Sequence, residues 1–192
     1  LTAQELERIE SLTLNSMRLG TVRDLFVFSC YTGISYIDLM QLTTASLMIG
    51  NDGSYWIVTQ RQKTRNPVKI PLLAKPLVLI KRYKVDTRSV INETLFPKIS
   101  NQKVNAYLKE VAKLADIQKT LTFHMARHTF ATTITLTNGV PIETISKMLG
   151  HSKLSTTQIY AKGIEQKVSD DMQLLRQKLE KNVEMGKPQL LG

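Results

Sequence analysis

Apolar positions along the chain follow two periods, and the points where one gives way to the other outline the fold. Thr2-Ala-Gln-Glu5 reads as a capping box, with Thr2 as N-cap and Glu5 three residues on, and predicts a short helix to about Ser11. A second helix is expected from Met17 to Tyr31. Its run Leu25-Phe-Val-Phe28 is too continuous for a surface helix, so it should lie at the centre of the core. Thr32-Gly33 breaks it, and Ser35 caps a short helix ending near Leu42 with Asp38 in its first turn.

The period changes at Ser46. Leu47-Met-Ile49 and Tyr55-Trp-Ile-Val-Thr59, joined through Asn51-Asp-Gly53, predict a β-hairpin. Arg65-Asn-Pro67 then precedes a short third strand, Val68 to Pro71, bounded by proline as an edge strand should be. Helical spacing resumes over 73–83, 100–115 and 122–137, and Asn138-Gly139 closes the last of these. Helices over 141–149 and 155–161 follow, and from Ile164 to Lys181 the residues Val168, Met172, Leu175 and Leu179 make an amphipathic stripe. The expected fold is mainly α with a small antiparallel three-stranded sheet at about 46–71, an α+β domain over 1–163. A helix and tail over 164–192 follow it.

The 192 residues, 42% of them apolar, suffice for a buried core. No stretch approaches the ~20 consecutive apolar residues that span a membrane, and no signal peptide is recognisable. The single cysteine, Cys30, lies in an apolar run, which excludes an intrachain disulfide and a cysteine-based zinc site. A reducing, cytoplasmic setting is expected. Opening on Leu1 rather than Met, the chain reads as a fragment or a processed product.

Charge changes the picture. A net charge of +10 suggests an acidic partner, nucleic acid first. Between Arg61 and Arg88 lie Arg61, Lys63, Arg65, Lys69, Lys75, Lys81, Arg82, Lys84 and Arg88 against one acid, Asp86. Part of this excess falls on the hairpin and its loop. A basic hairpin protruding from a helical body can enter a groove of DNA or track its phosphates. Lys63, Arg65, Lys69 and, farther on, Lys153 are the candidate DNA contacts.

The stretch from Thr122 to Tyr160 gathers all three histidines with an arginine and a tyrosine. His124, Arg127 and His128, at i, i+3 and i+4, share one helix face. A guanidinium flanked by imidazoles suits an anionic, phosphate-like group. His124 and His128 have the spacing of a zinc helix, but Met125 stands where a metalloprotease needs Glu, and only His151 remains as a further histidine ligand. Neither a metal nor another cofactor is expected.

His124-Met-Ala-Arg127-His128-Thr-Phe-Ala-Thr, followed by Leu149-Gly-His151-Ser-x-Leu-Ser-Thr-Thr-Gln-x-Tyr160, resembles the catalytic domain of the tyrosine recombinases of the phage-integrase type. The likeness runs from Thr2 to about Ala161. It implies site-specific recombination of double-stranded DNA, with Tyr160 as the nucleophile that forms a 3′-phosphotyrosyl link and frees a 5′-hydroxyl. It implies further that His124, Arg127 and His151 stabilise charge on the phosphate, and that Lys63, read as lying on the second strand, protonates the leaving oxygen. His128 would support the site, as would Asp38. The resemblance also implies a homotetramer on DNA, a monomer in free solution, and possible accessory DNA-bending proteins. The tail helix would pack in its own chain or on a neighbouring protomer. A helical core-binding domain normally precedes such a domain and is absent from this chain, so weak and poorly specific DNA binding is expected of it.

One position departs from the family pattern. In Tyr31-Thr-Gly33-Ile-Ser35-Tyr-Ile-Asp38, serine stands where the family carries an arginine that clamps the phosphate. A hydroxyl supplies no charge, and losing one such donor costs about 10²–10³ in rate. Two arginines could fill the gap. Arg61, two residues before Lys63, should project from the same strand face, whereas Arg23 lies beside Asp24, where an ion pair is the simpler role. Arg61 is the expected replacement. The substitution resembles the integrases of conjugative transposons, which points to integration or excision of a mobile element. Resolution of chromosome dimers and a DNA-binding module without catalysis stand as the alternatives.

Overall fold

The computed structural model describes residues 1–161, 172–173 and 175–177. It divides into a unit over Leu1–Tyr160 and a second over Ala161–Gly192. In the second, residues 172–173 and 175–177 are helical; Val168 and Leu179 of the expected stripe lie outside the described residues, as does any exchange of the tail.

Thr2 opens α1 (Ala3–Ser11) with both halves of the capping box in place. Helix α2 (Met17–Thr32), capped by Ser16, buries Val22, Leu25, Phe26, Val27, Phe28 and Cys30. It can be apolar almost all round because α1 and three later helices, over Ala74–Tyr83, Asn101–Leu114 and His124–Thr129, pack against it. Gly33 ends it in the left-handed conformation at φ 69°. Ser35 then caps α3, which is shorter than expected and spans only Tyr36–Leu39.

The sheet has the order β1 (Leu47–Ile49), β2 (Tyr55–Gln60), β3 (Pro67–Pro71), antiparallel throughout. Ile57 pairs with Ile70 and, with Val68, turns inward, which is the period-2 pattern of a sheet with one buried face. The remaining helices are α4 (Ala74–Tyr83), α5 (Thr87–Ile91), α6 (Asn101–Leu114), α7 (His124–Thr129), α8 (Ile142–Met148) and α9 (Ser155–Gln158). Helix α5 was not foreseen. Asp86 caps it, accepting from the Arg88 N–H.

The helix expected over 122–137 is helical in three geometries: α over His124–Thr129, π over Phe130–Thr135 and 3₁₀ over Leu136–Asn138. Side-chain donors accompany the change. The Thr135 hydroxyl donates to the Phe130 and Ala131 carbonyls, Thr137 to those of Thr132 and Thr133, and Asn138 to those of Thr133 and Ile134. Donors that compete for the carbonyls of the preceding turn loosen the i→i−4 ladder. Among the described residues, no helix is long and apolar enough to cross a membrane.

Candidate active site

Helix α7 turns Ala126 and Thr129 into the core, and packs on α2. Arg127 follows Ala126 inward and is only 5% exposed. Its guanidinium donates to the Gly33 carbonyl at 2.5 Å and to the Leu149 carbonyl, and contacts His151 Nε2 at 3.1 Å. Gly33 can be nothing larger: a Cβ there would come within 2.5 Å of the Phe130 ring. The end of α2 thus anchors Arg127, and the chain runs on directly to Ser35.

His151 sits in the turn after α8. Gly150, at φ 62°, makes that turn possible, and a Cβ on it would meet the side chains of Val68 and Arg61 below 3 Å. His151 Nδ1 lies 2.8 Å from the Thr157 hydroxyl. An arginine N–H can only donate, so Nε2 is the accepting nitrogen, and the ring proton belongs on Nδ1, donated to Thr157. Thr157 is fully buried, and its carbonyl accepts the Tyr160 N–H at 3.0 Å. One threonine therefore grips both His151 and the backbone of Tyr160.

Tyr160 lies just past α9, two residues beyond its end at Gln158, and is 7% exposed. Its ring stands edge-on to His128, with centroids 4.8 Å apart, and stacks on His151 at 6.4 Å and 14°. His128 meets His124 edge-on at 5.1 Å. Burial, then the charges of Arg127 and Arg61, lower the pKa of His124 and hold His151 down at about 4. Burial, followed by His124, lowers His128. Near neutral pH the imidazoles are uncharged, and the positive charge comes from arginine and lysine.

Beside Arg127 opens a cavity of about 610 Å³ whose lining includes Ser35, Asp38, Arg61, Lys63, His124 and Arg127. Lys63 reaches it from the turn after β2 rather than from a strand, because β2 ends at Gln60. The alternation argument for Arg61 falls with this, since Arg61 too lies beyond the strand; the two nevertheless line the same cavity. Arg61 Nη1 approaches the Leu149 carbonyl at 3.4 Å, and its Nε lies 3.7 Å from Asp38 Oδ2. That Nε is buried and has no hydrogen-bond partner.

Asp38 is the hub of this side. It accepts the Ser35 hydroxyl at 2.6 Å and the Gln62 N–H at 2.9 Å, so it fixes the empty arginine position and the turn at once. Arg127 and Arg61 share the Leu149 carbonyl, and the pKa of Arg127 is lowered by burial first and by Arg61 next. Arg23, by contrast, is bound to Asp24 and to the Leu12 carbonyl. Arg65, Lys69 and Lys153 are exposed, in the turn, on β3 and beyond α8. Thr157 and Asn66 were missed as site residues. Thr157 lies inside the quoted motif, but nothing in its spacing shows which ring nitrogen it meets.

Two guanidiniums, an ammonium and the neutral His124 imidazole line one cavity suited to a phosphate group, and behind them Tyr160 packs against His128 and His151. The chain belongs to the phage integrase family, whose sequence profile matches residues 1–167. It is 29% identical over 144 residues to the tyrosine recombinase XerD of Pseudomonas putida (strain KT2440), covering 70% of this chain and 46% of that protein. XerD of Staphylococcus aureus is 40% identical over 78 residues, 38% of this chain and 26% of the relative. The matches thus span less than half the length of these relatives. Among solved structures, the XerA recombinase superposes with a TM-score of 0.72 at 24% identity, covering 92% of this chain and 64% of that one. The Tn1549 transposon integrase in complex with circular intermediate DNA gives 0.69 at 19%, over 91% and 66%. The fold is that of a tyrosine recombinase catalytic domain.

Proposed function

We propose that the chain is the catalytic domain of a tyrosine site-specific recombinase that cleaves and rejoins double-stranded DNA without metal or ATP. The packing of Tyr160 against His151, itself bonded to the buried Arg127, carries the reading. Tyr160 attacks the scissile phosphate, the 3′-phosphotyrosyl link forms and the 5′-oxygen leaves. A phenol has a pKa of about 10 in water, so attack needs developing charge to be met elsewhere. Arg127 supplies that charge and His124 adds a hydrogen bond to a non-bridging oxygen. His151, with Nε2 taken by Arg127 and its proton by Thr157, orients that guanidinium rather than donating to the phosphate. Lys63 gives its proton to the leaving oxygen. The link conserves the energy of the broken bond, so a second 5′-hydroxyl rejoins the strand.

Arg61 takes the part of the arginine that Ser35 replaces. The support is its place in the same cavity and its buried Nε, which has no hydrogen-bond partner. His128 and Asp38 hold the site in shape. Lys63, Arg65, Lys69 and Lys153 meet the DNA backbone, and synapsis proceeds in a tetramer of otherwise monomeric chains in the cytoplasm.

A duplex with a 5′-bridging phosphorothiolate tests the chemistry, because the thiolate that leaves cannot rejoin. A covalent adduct that Tyr160→Phe abolishes is the expected result. DNA binding without an adduct would favour the second reading, a binding module that lost catalysis, for which Ser35 is the specific observation. We assign the activity to integration or excision of a mobile element. Amplification across a circular junction of the DNA flanking its gene, present only with Tyr160 intact, checks this. Chromosome dimers accumulating on deletion would move the assignment to dimer resolution.

A further inference from the structure

The turn that carries Lys63 and the turn that carries His151 are fastened to each other. The Asn66 side-chain amide donates to the Gly150 carbonyl at 3.1 Å and to the Ser152 hydroxyl at 2.9 Å. Gly150 and Ser152 flank His151. The first turn closes on itself, with the Arg61 N–H donating to the Asn66 carbonyl at 2.9 Å and the Arg65 N–H to that of Arg61 at 2.8 Å. Its near end is held by Asp38 through the Gln62 N–H. Its far end is held across the site by Asn66. Beneath the clasp, helix α8 packs on β3 and Gly150 leaves no room for a Cβ against Val68 and Arg61.

We propose that Asn66 is a positioning residue for leaving-group protonation: its two hydrogen bonds fix the Lys63 turn to the His151 turn, so that the acid and the Arg127 guanidinium that His151 contacts keep one geometry. The inference rests on the reading of Lys63 as the acid. In the step concerned, the Tyr160 phenol loses its proton to solvent, its oxygen bonds to phosphorus, the P–O5′ bond breaks, and the departing oxygen takes a proton from Lys63. An ammonium on a free turn would sample many positions around that oxygen. A misplacement of about 1 Å can cost on the order of 10²-fold in rate.

Substituting sulfur for the 5′-oxygen separates this role from a general structural one. A thiol has a pKa near 8.5, so a thiolate leaves without a proton, and an acid out of place no longer matters. The probe is a duplex enriched from a randomised pool by covalent trapping on the wild-type chain, then made with oxygen or sulfur at the scissile bond. Asn66→Asp keeps the shape and removes both donors; Asn66→Ala removes the side chain. Each should cleave the oxygen duplex about 10–100-fold more slowly than wild type, the range for lost supporting contacts. Each should return to within about threefold of wild type on the sulfur duplex, as Lys63→Ala should from a larger loss. Equal losses on both duplexes, or no loss on the oxygen duplex, would overturn the role of Asn66. If Lys63→Ala itself is not relieved by sulfur, the acid is not Lys63 and the inference falls with its premise. Matching melting temperatures and DNA retention for Asn66→Asp and wild type confirm that the fold is kept.

Discussion

Arg61 and Arg127 meet at one carbonyl, that of Leu149, and Arg61 and Ser35 approach the same oxygen of Asp38. On the proposed reading, the charge that Ser35 does not bring therefore enters the cavity from Arg61. Ser35 has become a helix cap and a donor to Asp38, a role that an arginine there could not fill in the same way. Asp38 in turn stands 3.7 Å from Arg61 Nε, so the guanidinium lies between a carboxylate and the Leu149 carbonyl while lining the cavity. Arg61→Ala should reduce adduct formation by about 10²–10³-fold, as for loss of one charge-stabilising donor. Adding Ser35→Arg to Arg61→Ala should recover at least part of that loss, since the two positions face one cavity. Single-turnover cleavage rates check both. An Arg61→Ala chain that cleaves normally would end the replacement idea.

At the scale of elements, the site is made where two helix ends meet a third helix. Gly33 caps α2 and Leu149 caps α8, and both cap carbonyls accept from Arg127 of α7. Carbonyls at a helix end lack intrahelical partners and carry partial negative charge, so a buried guanidinium is satisfied there without a carboxylate. Gly33→Ala disturbs this directly. A side chain forced into the left-handed region costs roughly 1–2 kcal/mol, and overpacking against Phe130 and Leu149 adds about 1–3 kcal/mol. The expected fall in melting temperature is about 2–4 °C per kcal/mol in a domain of this size, with cleavage impaired as Arg127 loses its anchor. Thermal unfolding with a parallel trapping assay measures the two effects.

Much of this convergence could be read in the sequence, because caps and glycines are local signals. The Thr2–Glu5 box, Ser35, Gly33 and Gly139 each mark a boundary that chemistry alone fixes. The motif residues could likewise be read as a set. What could not be read is non-local or brief. Helix α5 is five residues long in a basic stretch and shows no period. The π segment depends on which carbonyls Thr135 and Thr137 choose, and periodicity is blind to that choice. The resemblance put Lys63 on the second strand, yet the strand's own apolar pattern stops at Thr59 and the chain turns after Gln60. The clasps made by Asn66 and Thr157 cross 84 and six residues respectively, and only folding reveals them.

For the whole molecule, a charge of +10 bears on how firmly DNA is held rather than on which sequence is chosen. Exposed Arg65 belongs to the turn whose Arg61, Gln62 and Lys63 line the cavity, while Lys69 lies exposed on β3 and Lys153 beyond α8. We propose that a duplex seated with its phosphate at Arg127 runs its backbone past all three. The logarithm of affinity should fall linearly with the logarithm of salt, with a slope of about −0.9 for each phosphate neutralised. Replacing Arg65, Lys69 or Lys153 by Ala should make the slope shallower by close to one unit apiece and weaken binding equally for all sequences. Lys63→Ala should do the same while also slowing cleavage, because only Lys63 among the four lines the cavity. Titrations of duplex DNA at several salt concentrations give the slopes. An unchanged slope for all three outer variants would mean that the duplex runs along another face, and the basic turn would then serve catalysis alone.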